Sequence, residues 1–321
     1  MRWKVLATFC ASLACMFGSA SGATTAQNVV FIPKSSDHQF WELMHEGASR
    51  AMNESGSGTL TWRGPAHSGD VDAQIRILET YTRDGADAIV LAPIDRYKLE
   101  APVKMATEKG IRVVVVDSEL GGENHSSFFG TDNVAAGALA AEQMEKLLGG
   151  KGKLVVVRTY KGSVTVEKRV TGFTKHLKAH APQIQIAADF YAGDAVGDIY
   201  SITKETLRRI QHIDAVFAPN ETTAQASLRA LRDLNLAGKI RFIGFDATPL
   251  LLDAIRLREV DGLVLQNPRQ MGYLAVKAAL ESPVSASHRS PTVTYIPATM
   301  VTSENVAQPA IQELLARDRP Q

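Results

Sequence analysis

Cysteine is almost missing: the 321-residue chain has two, Cys10 and Cys15, both within its first 23 residues. From Thr24 onward there is no thiol, so disulfide stapling, cysteine metal ligation and thiol catalysis are excluded there. An excess of charge of one sign is missing too. The 35 Lys and Arg balance 34 Asp and Glu, which leaves no electrostatic case for a nucleic-acid partner. Also absent are G-x-S-x-G, H-E-x-x-H and G-x-G-x-x-G, the signatures of a nucleophile elbow, a zinc protease and a dinucleotide site. No enzymatic activity, cofactor or metal is therefore expected. After the first segment no apolar run approaches the ~20 residues of a membrane-spanning helix.

What is present starts with an export signal. Arg2 and Lys4 precede an apolar stretch from Val5 to Gly18, then Ser19-Ala20-Ser21-Gly22-Ala23, with no acidic residue. This order of a basic start, an apolar centre and small residues predicts cleavage after Ala23. Ser12-Leu13-Ala14-Cys15 faintly resembles a lipoprotein box, but Ser12 stands where an aliphatic residue belongs. Removing Arg2 and Lys4 leaves 33 basic against 34 acidic residues. The remaining chain, at 45% hydrophobic overall, is long enough to bury cores without disulfides.

That remainder alternates apolar runs with stretches of helical period. Asn28 to Pro33, Ala88 to Leu91, Arg112 to Asp117, Leu154 to Val157, Ile184 to Phe190, Ala215 to Ala218, Ile240 to Phe245 and Gly262 to Leu265 read as strands. Most are near-continuous apolar runs, as parallel strands covered on both faces should be. Between them, Ile75, Leu78, Tyr81 and Thr82 lie at helical spacing, and Asp84-Gly85 ends that helix. About ten strands and nine helices exceed one comfortable sheet, so the fold class is α/β with two doubly wound domains. The break falls near Gly130-Thr131-Asp132-Asn133, before a small-residue helix. No Pro, Ser or Gly-rich linker marks it, so short crossings rather than a tether are expected.

Open parallel sheets bind ligands at the carboxyl ends of their strands. Lys34, Asp37 and His38 follow the first strand, with Phe40-Trp41 at a helix start; Asp117, Ser118 and Glu119 follow the fourth. Asn220-Glu221, Asp246 and Gln266 follow later ones. Carboxylates and amides converging with aromatic rings suit a polyhydroxylated ligand, whose hydroxyls they bond while its C–H faces stack. Asp and Asn at such positions also serve simply as helix caps. Phe40 and Trp41, being adjacent, are expected to divide between core and ligand.

The ordered set Phe40-Trp41, Val116-Asp117, Gly130-Thr131-Asp132-Asn133, Ala218-Pro219-Asn220-Glu221, Gly244-Phe245-Asp246-Ala247-Thr248-Pro249 and Gln266-Asn267-Pro268 resembles the ribose-type class of periplasmic substrate-binding proteins of ABC importers. The resemblance implies two Rossmann-like lobes joined by three hinge crossings and closing around a sugar-like ligand. It implies an N-terminal lobe of residues 24–131 plus 267–296 and a C-terminal lobe of 132–266 plus 297–321. It implies contacts from Phe40 and Trp41 and hydroxyl bonds from Asp117, Asn220, Asp246 and Gln266. The expected partner is an inner-membrane ABC permease with its ATPase, and the protein is expected to be a periplasmic monomer.

Two departures bear on the ligand. Where ribose binders carry arginines, after the fourth strand's Asp and early in the Thr165 to Phe173 helix, this chain has Ser118 and Glu167. Losing two guanidinium forks disfavours ribose in its usual pose. Lys34 and Arg63-Gly64-Pro65 are more similar to the branch that binds furanosyl quorum signals or deoxysugars, and Lys34 is the replacement donor that this implies. With Asp37, Asp117, Glu119, Glu167 and Asp246, a cationic ligand such as an amino sugar would also suit; Glu119 and Glu167 equally fit solvated rim charges. A receptor of the same fold that signals to a membrane sensor kinase or chemoreceptor stays open. Related repressors carry an N-terminal helix-turn-helix where this chain has its export signal. His176 and His180 share a helix face without an accompanying carboxylate, and Gly149-Gly150-Lys151-Gly152-Lys153 precedes a strand, so it reads as a turn and not a phosphate loop.

Overall fold

The computed structural model describes residues 27–36, 38–281 and 290–316; the segment 1–23, read as an export signal, and Asp37 lie outside them. In chain order the elements are β1 (Asn28–Ile32), α1 (Gln39–Ser55), β2 (Thr59–Trp62), α2 (Val71–Arg83), β3 (Ala88–Leu91), α3 (Glu100–Glu108), β4 (Arg112–Val116), β5 (Ser127–Thr131), α4 (Asn133–Leu148), β6 (Lys151–Arg158) and α5 (Val164–His180). There follow β7 (Gln183–Tyr191), α6 (Val196–Arg209), β8 (Ala215–Phe217), α7 (Glu221–Asp233), β9 (Arg241–Phe245), α8 (Pro249–Arg256), β10 (Gly262–Leu265), α9 (Pro268–Leu280), β11 (Thr292–Ile296), β12 (Thr299–Val301) and α10 (Pro309–Leu315).

The strands form two six-stranded sheets, ordered β11-β5-β4-β3-β1-β2 and β12-β10-β9-β8-β6-β7. Every pairing is parallel except β10 with β12. β11, β5, β4, β3, β1 and β2 of the first sheet occupy the places of β12, β10, β9, β8, β6 and β7 in the second. The chain passes between sheets after β5, after β10 and between β11 and β12, which gives the three crossings. Each sheet with its helices is a lobe, and both sheet faces are covered. In the first lobe, α1 and α9 pack on one face and α2 and α3 on the other. In the second, α4 and α5 cover one face and α6, α7, α8 and α10 the other. Central strands are consequently apolar on both sides; Val113 to Val116 and Ile89 to Leu91 are essentially unexposed.

Local signals set the limits of these elements. Gly85 takes a left-handed conformation after α2, and Gly149 and Gly150 do so between α4 and β6, so the glycine-lysine segment is the turn its position implied. β5 ends at Thr131 and α4 begins at Asn133, where the sequence breaks. The short β12 and the α10 that follows it had no comparable periodic signal.

One helix pair in each lobe crosses at glycines. A Cβ on Gly47 of α1 would lie 1.9 Å from the Arg269 carbonyl oxygen of α9, and one on Gly272 of α9 would lie 2.1 Å from the Met44 carbonyl oxygen. In the second lobe a Cβ on Gly137 of α4 would lie 1.9 Å from the Arg169 carbonyl oxygen, and one on Gly172 of α5 the same distance from that of Val134. These contacts are with backbone, so no side chain can move aside. Gly137→Ala or Gly272→Ala should therefore cost ~1–3 kcal/mol and lower the melting temperature by several degrees in calorimetry. Gly197→Ala, on the open face of α6, should leave it unchanged or slightly raised.

Candidate functional site

The carboxyl edges of the two sheets face each other across one cleft, which spans about 600 Å³ including its open mouth. Lys34, Phe40, Trp41 and Asp117 line it from the first lobe, and Asn220, Asp246 and Gln266 from the second. The sequence had named all seven. Asp37, also named, lies outside the described residues.

Two aspartates occupy equivalent places, Asp117 after β4 and Asp246 after β9, and both are left-handed, with φ 64° and 62°. That conformation costs a non-glycine residue ~1–3 kcal/mol and clusters at functional sites. Both carboxylates are buried. Lys34, at the end of β1, pairs with Asp117 Oδ2 at 2.7 Å and donates to the Ser118 hydroxyl, which in turn donates to Asp117 at 3.1 Å. Asp246 Oδ1 accepts from Gln266 Nε2 at 2.8 Å, and Gln266 Oε1 accepts from the Thr131 hydroxyl at 2.9 Å. Thr131 ends β5 and Gln266 follows β10, so that bond ties two crossings together.

Arg169, unremarked in the sequence, is 2% exposed and lines the cleft. Its Nε donates to Asn133 Oδ1 at 2.7 Å and its Nη1 to the Pro219 carbonyl at 2.8 Å, while the guanidinium lies 4.4 Å from the Phe245 ring centre. Burial lowers its pKa, against the opposing pull of Asp246 and Asp117. Burial likewise raises that of Asp246, with Arg169 and the Gln266 bond opposing. Asp117 is thus paired directly with Lys34, while the Arg169 guanidinium favours the Asp246 anion through its charge without an ion pair.

Arg169 is a cleft guanidinium that the sequence reading did not name; it stands two residues after Glu167, and Ser118 and Glu167 remain at the two positions read as lacking arginine. α5 begins at Val164, and at ~100° per residue the two steps from Glu167 to Arg169 turn ~200°, to the opposite face. Glu167 therefore points away from the cleft. It accepts from Arg158 Nη1 at 2.5 Å and from the Tyr191 hydroxyl at 2.7 Å. Glu119 is not part of the cleft lining either; it pairs with Lys168 at 2.5 Å and Arg96 at 3.6 Å. Because Lys168 belongs to α5, that ion pair spans the two lobes.

Phe40 and Trp41 both line the cleft, their rings 5.0 Å apart and at 88°. Trp41, 5% exposed, also packs into the α1 and α9 core, so the expected division is only partial. Asn220 serves as a cap and as lining at once: its Oδ1 accepts from the Thr223 N–H at 3.1 Å at the start of α7. Glu221 and Tyr160 complete the second lobe's wall; burial raises the Tyr160 hydroxyl, which stays protonated. Elsewhere His176 does have a carboxylate beside it, Glu145 at 2.9 Å. No group of three or more residues suited to a metal ion is found among the described residues, and none of their helices is long and apolar enough to cross a membrane.

Residues 29–282 match the model of a periplasmic binding protein domain. The chain is 26% identical over 287 residues to the D-allose-binding periplasmic protein of Escherichia coli, covering 87% of this chain and 91% of that one. A carbohydrate transporter solute binding protein from Agrobacterium radiobacter, in complex with D-arabinose, superposes with a TM-score of 0.85 at 27% identity, covering 92% of this chain and all of that one. An ABC transporter solute binding protein from Agrobacterium vitis with bound D-fucose gives 0.83 at 30%, covering 89% and 98%.

Arg169→Met should cost about 3 kcal/mol or more of stability, because it leaves Asn133 Oδ1, the Pro219 carbonyl and the buried Asp246 without their donor or counter-charge. Arg169→Lys keeps the charge but not the planar fork and should fall between the two. Thermal and urea unfolding measure the order; equal stability of all three proteins would contradict the role given to the fork.

Proposed function

The chain belongs to the periplasmic binding protein domain family, and from that premise we propose that it captures a neutral sugar between its lobes and delivers it to an ABC permease with its ATPase. The observation that carries this reading is the single cleft in which Asp117 and Asp246, from equivalent strands of two sheets, meet the Phe40 and Trp41 rings. Carboxylates accept from ring hydroxyls at ~1.5–3 kcal/mol each and aromatic contacts add ~0.5–1.5, so a few reach the ~8 kcal/mol of micromolar binding. The sugars in the related structures and in the relative's name, D-arabinose, D-fucose and D-allose, share this hydroxyl-rich character.

Ligand contacts divided between lobes exist together only when the lobes close. A sugar that touches both shifts the equilibrium toward closure by its differential affinity. The proposed contacts are Lys34, Phe40, Trp41, Asp117, Asn220, Asp246, Gln266 and, added by the structure, Arg169. Lys34 and Arg169 supply donors from opposite sides; Glu119 and Glu167 remain rim charges with protein partners. A periplasmic monomer, released from its export signal near Ala23, completes the proposal; its lobes are residues 24–131 with 267–296 and 132–266 with 297–321.

A thermal-shift panel of pentoses, hexoses, deoxysugars, polyols, amino sugars and furanosyl signals tests it. One neutral class should raise the melting temperature; 100-fold excess over Kd corresponds to ~2.7 kcal/mol. Asp117→Ala and Asp246→Ala should each weaken binding of the responding sugar by ~2–4 kcal/mol in calorimetry, since each removes a charged acceptor. Unchanged affinity in both would overturn the site, and silence across the panel would overturn the sugar reading.

A further inference from the structure

The first helix is not capped by the side chain of its own N-cap residue, His38, although the opening amides of any helix need acceptors. An acceptor arrives from the other lobe. Glu221, the first residue of α7, is 6% exposed. Its Oε2 accepts from the backbone N–H of Phe40 at 3.3 Å, and its Oε1 from Gln225 Nε2 at 3.1 Å on its own helix. The carboxyl group therefore lies at two helix N-termini, one from each lobe, and separating the lobes breaks the bond to α1. From that juxtaposition we infer that Glu221 is a positioning residue, which caps α1 across the closed cleft, fixes the Phe40 ring in the cleft wall and makes closure depend on a proton.

The groups around it determine the sign. Asp246 comes from the turn before α8, and His38, with Nδ1 3.8 Å from Oε1, and Glu42 come from the α1 side. Lys34 and Arg169 line the same cleft. The helix N-termini and the Phe40 bond favour the anion. Burial, aided by Asp246, opposes them more strongly and raises the Glu221 carboxyl to about 7. In the open form the group faces water and titrates in the usual carboxylate range. Closure then takes up a proton between that range and about pH 7. The closed form is favoured fully below the usual range and loses the advantage as pH rises through about 7. A protonated carboxyl still caps, because its carbonyl oxygen accepts.

The link from closure to affinity rests on the sugar-capture reading; the cap itself does not. Hydrogen exchange of amides 39 and 40, corrected for its intrinsic pH dependence, is compared at pH 5.5 and 8.5 in the full chain and in Glu221→Gln and Glu221→Ala. It is measured alone and with D-allose, D-arabinose or D-fucose. Protection in the unmodified chain should be about tenfold greater at the lower pH, a step well within what a raised carboxyl allows. Glu221→Gln, which keeps an acceptor without a titrating group, should protect at both pH values, and Glu221→Ala at neither. Any sugar that binds should follow the same order in affinity. Equal protection in Glu221→Ala, a pH step that survives in Glu221→Gln, or no protection under any condition overturns the inference. Sugar binding without a pH step overturns the clasp and leaves sugar capture standing. The exchange pattern without sugar binding upholds the cap and counts against that set of sugars as ligands.

Discussion

Two buried aspartates from opposite sheets, Asp117 paired with Lys34 and Asp246 bonded to Gln266 within the field of Arg169, are the arrangement on which the cleft depends. An isolated carboxylate in so dry a place would neutralise or unfold its surroundings. Lys34 answers Asp117 from the end of β1, and Arg169 answers Asp246 from the second turn of α5. The second cation has a further requirement, because Arg169 reaches the cleft from a helix whose own backbone touches α4. Gly137 lets the Arg169 carbonyl come that close, and Asn133 at the start of α4 then fixes the guanidinium. Helix packing and site electrostatics are in this way one structure.

The fold was legible because its strands are apolar on both sides and its helices are periodic; five residues of the cleft were legible because they follow strands, and Phe40 and Trp41 because they form an aromatic pair at a helix start. What escaped the sequence had its cause at a distance. Glu221 was visible as an acid after Asn220, but its partner amide lies 181 residues away. Glu145, beside His176, lies on another helix. Arg169 did leave a signal: Val166, Val170, Phe173 and Leu177 form the buried stripe of α5, and an arginine three residues after Val166 and four before Phe173 falls on that stripe. Glu167 falls off it, which is why it finds its partners in Arg158 and Tyr191.

The two lobes use one frame for different ends. Ala92-Pro93-Ile94-Asp95 follows β3 and Ala218-Pro219-Asn220-Glu221 follows β8, the equivalent strand. In the first, Asp95 accepts from the backbone of Tyr97 and Lys98 in a local turn. In the second, the same place supplies the Arg169 acceptor at Pro219, the cleft lining at Asn220 and the contact across the lobes at Glu221. The same segment of the repeated scaffold thus closes a local turn in one lobe and opens a helix at the cleft in the other.

The glycine crossing of α1 and α9 also dictates when the protein can become a protein. Glu46 and Arg269, which bond beside that crossing at 2.8 Å, are 223 residues apart in the chain. The first helix can settle on the early strands of its own sheet, but the helix that packs beside it, α9, emerges only much later, so the part of that sheet face under α9 stays bare for most of translation. Contacts of such long sequence separation form slowly. The connectivity that joins the lobes three times thus also postpones the sealing of the first sheet's α1 face until α9 has been made.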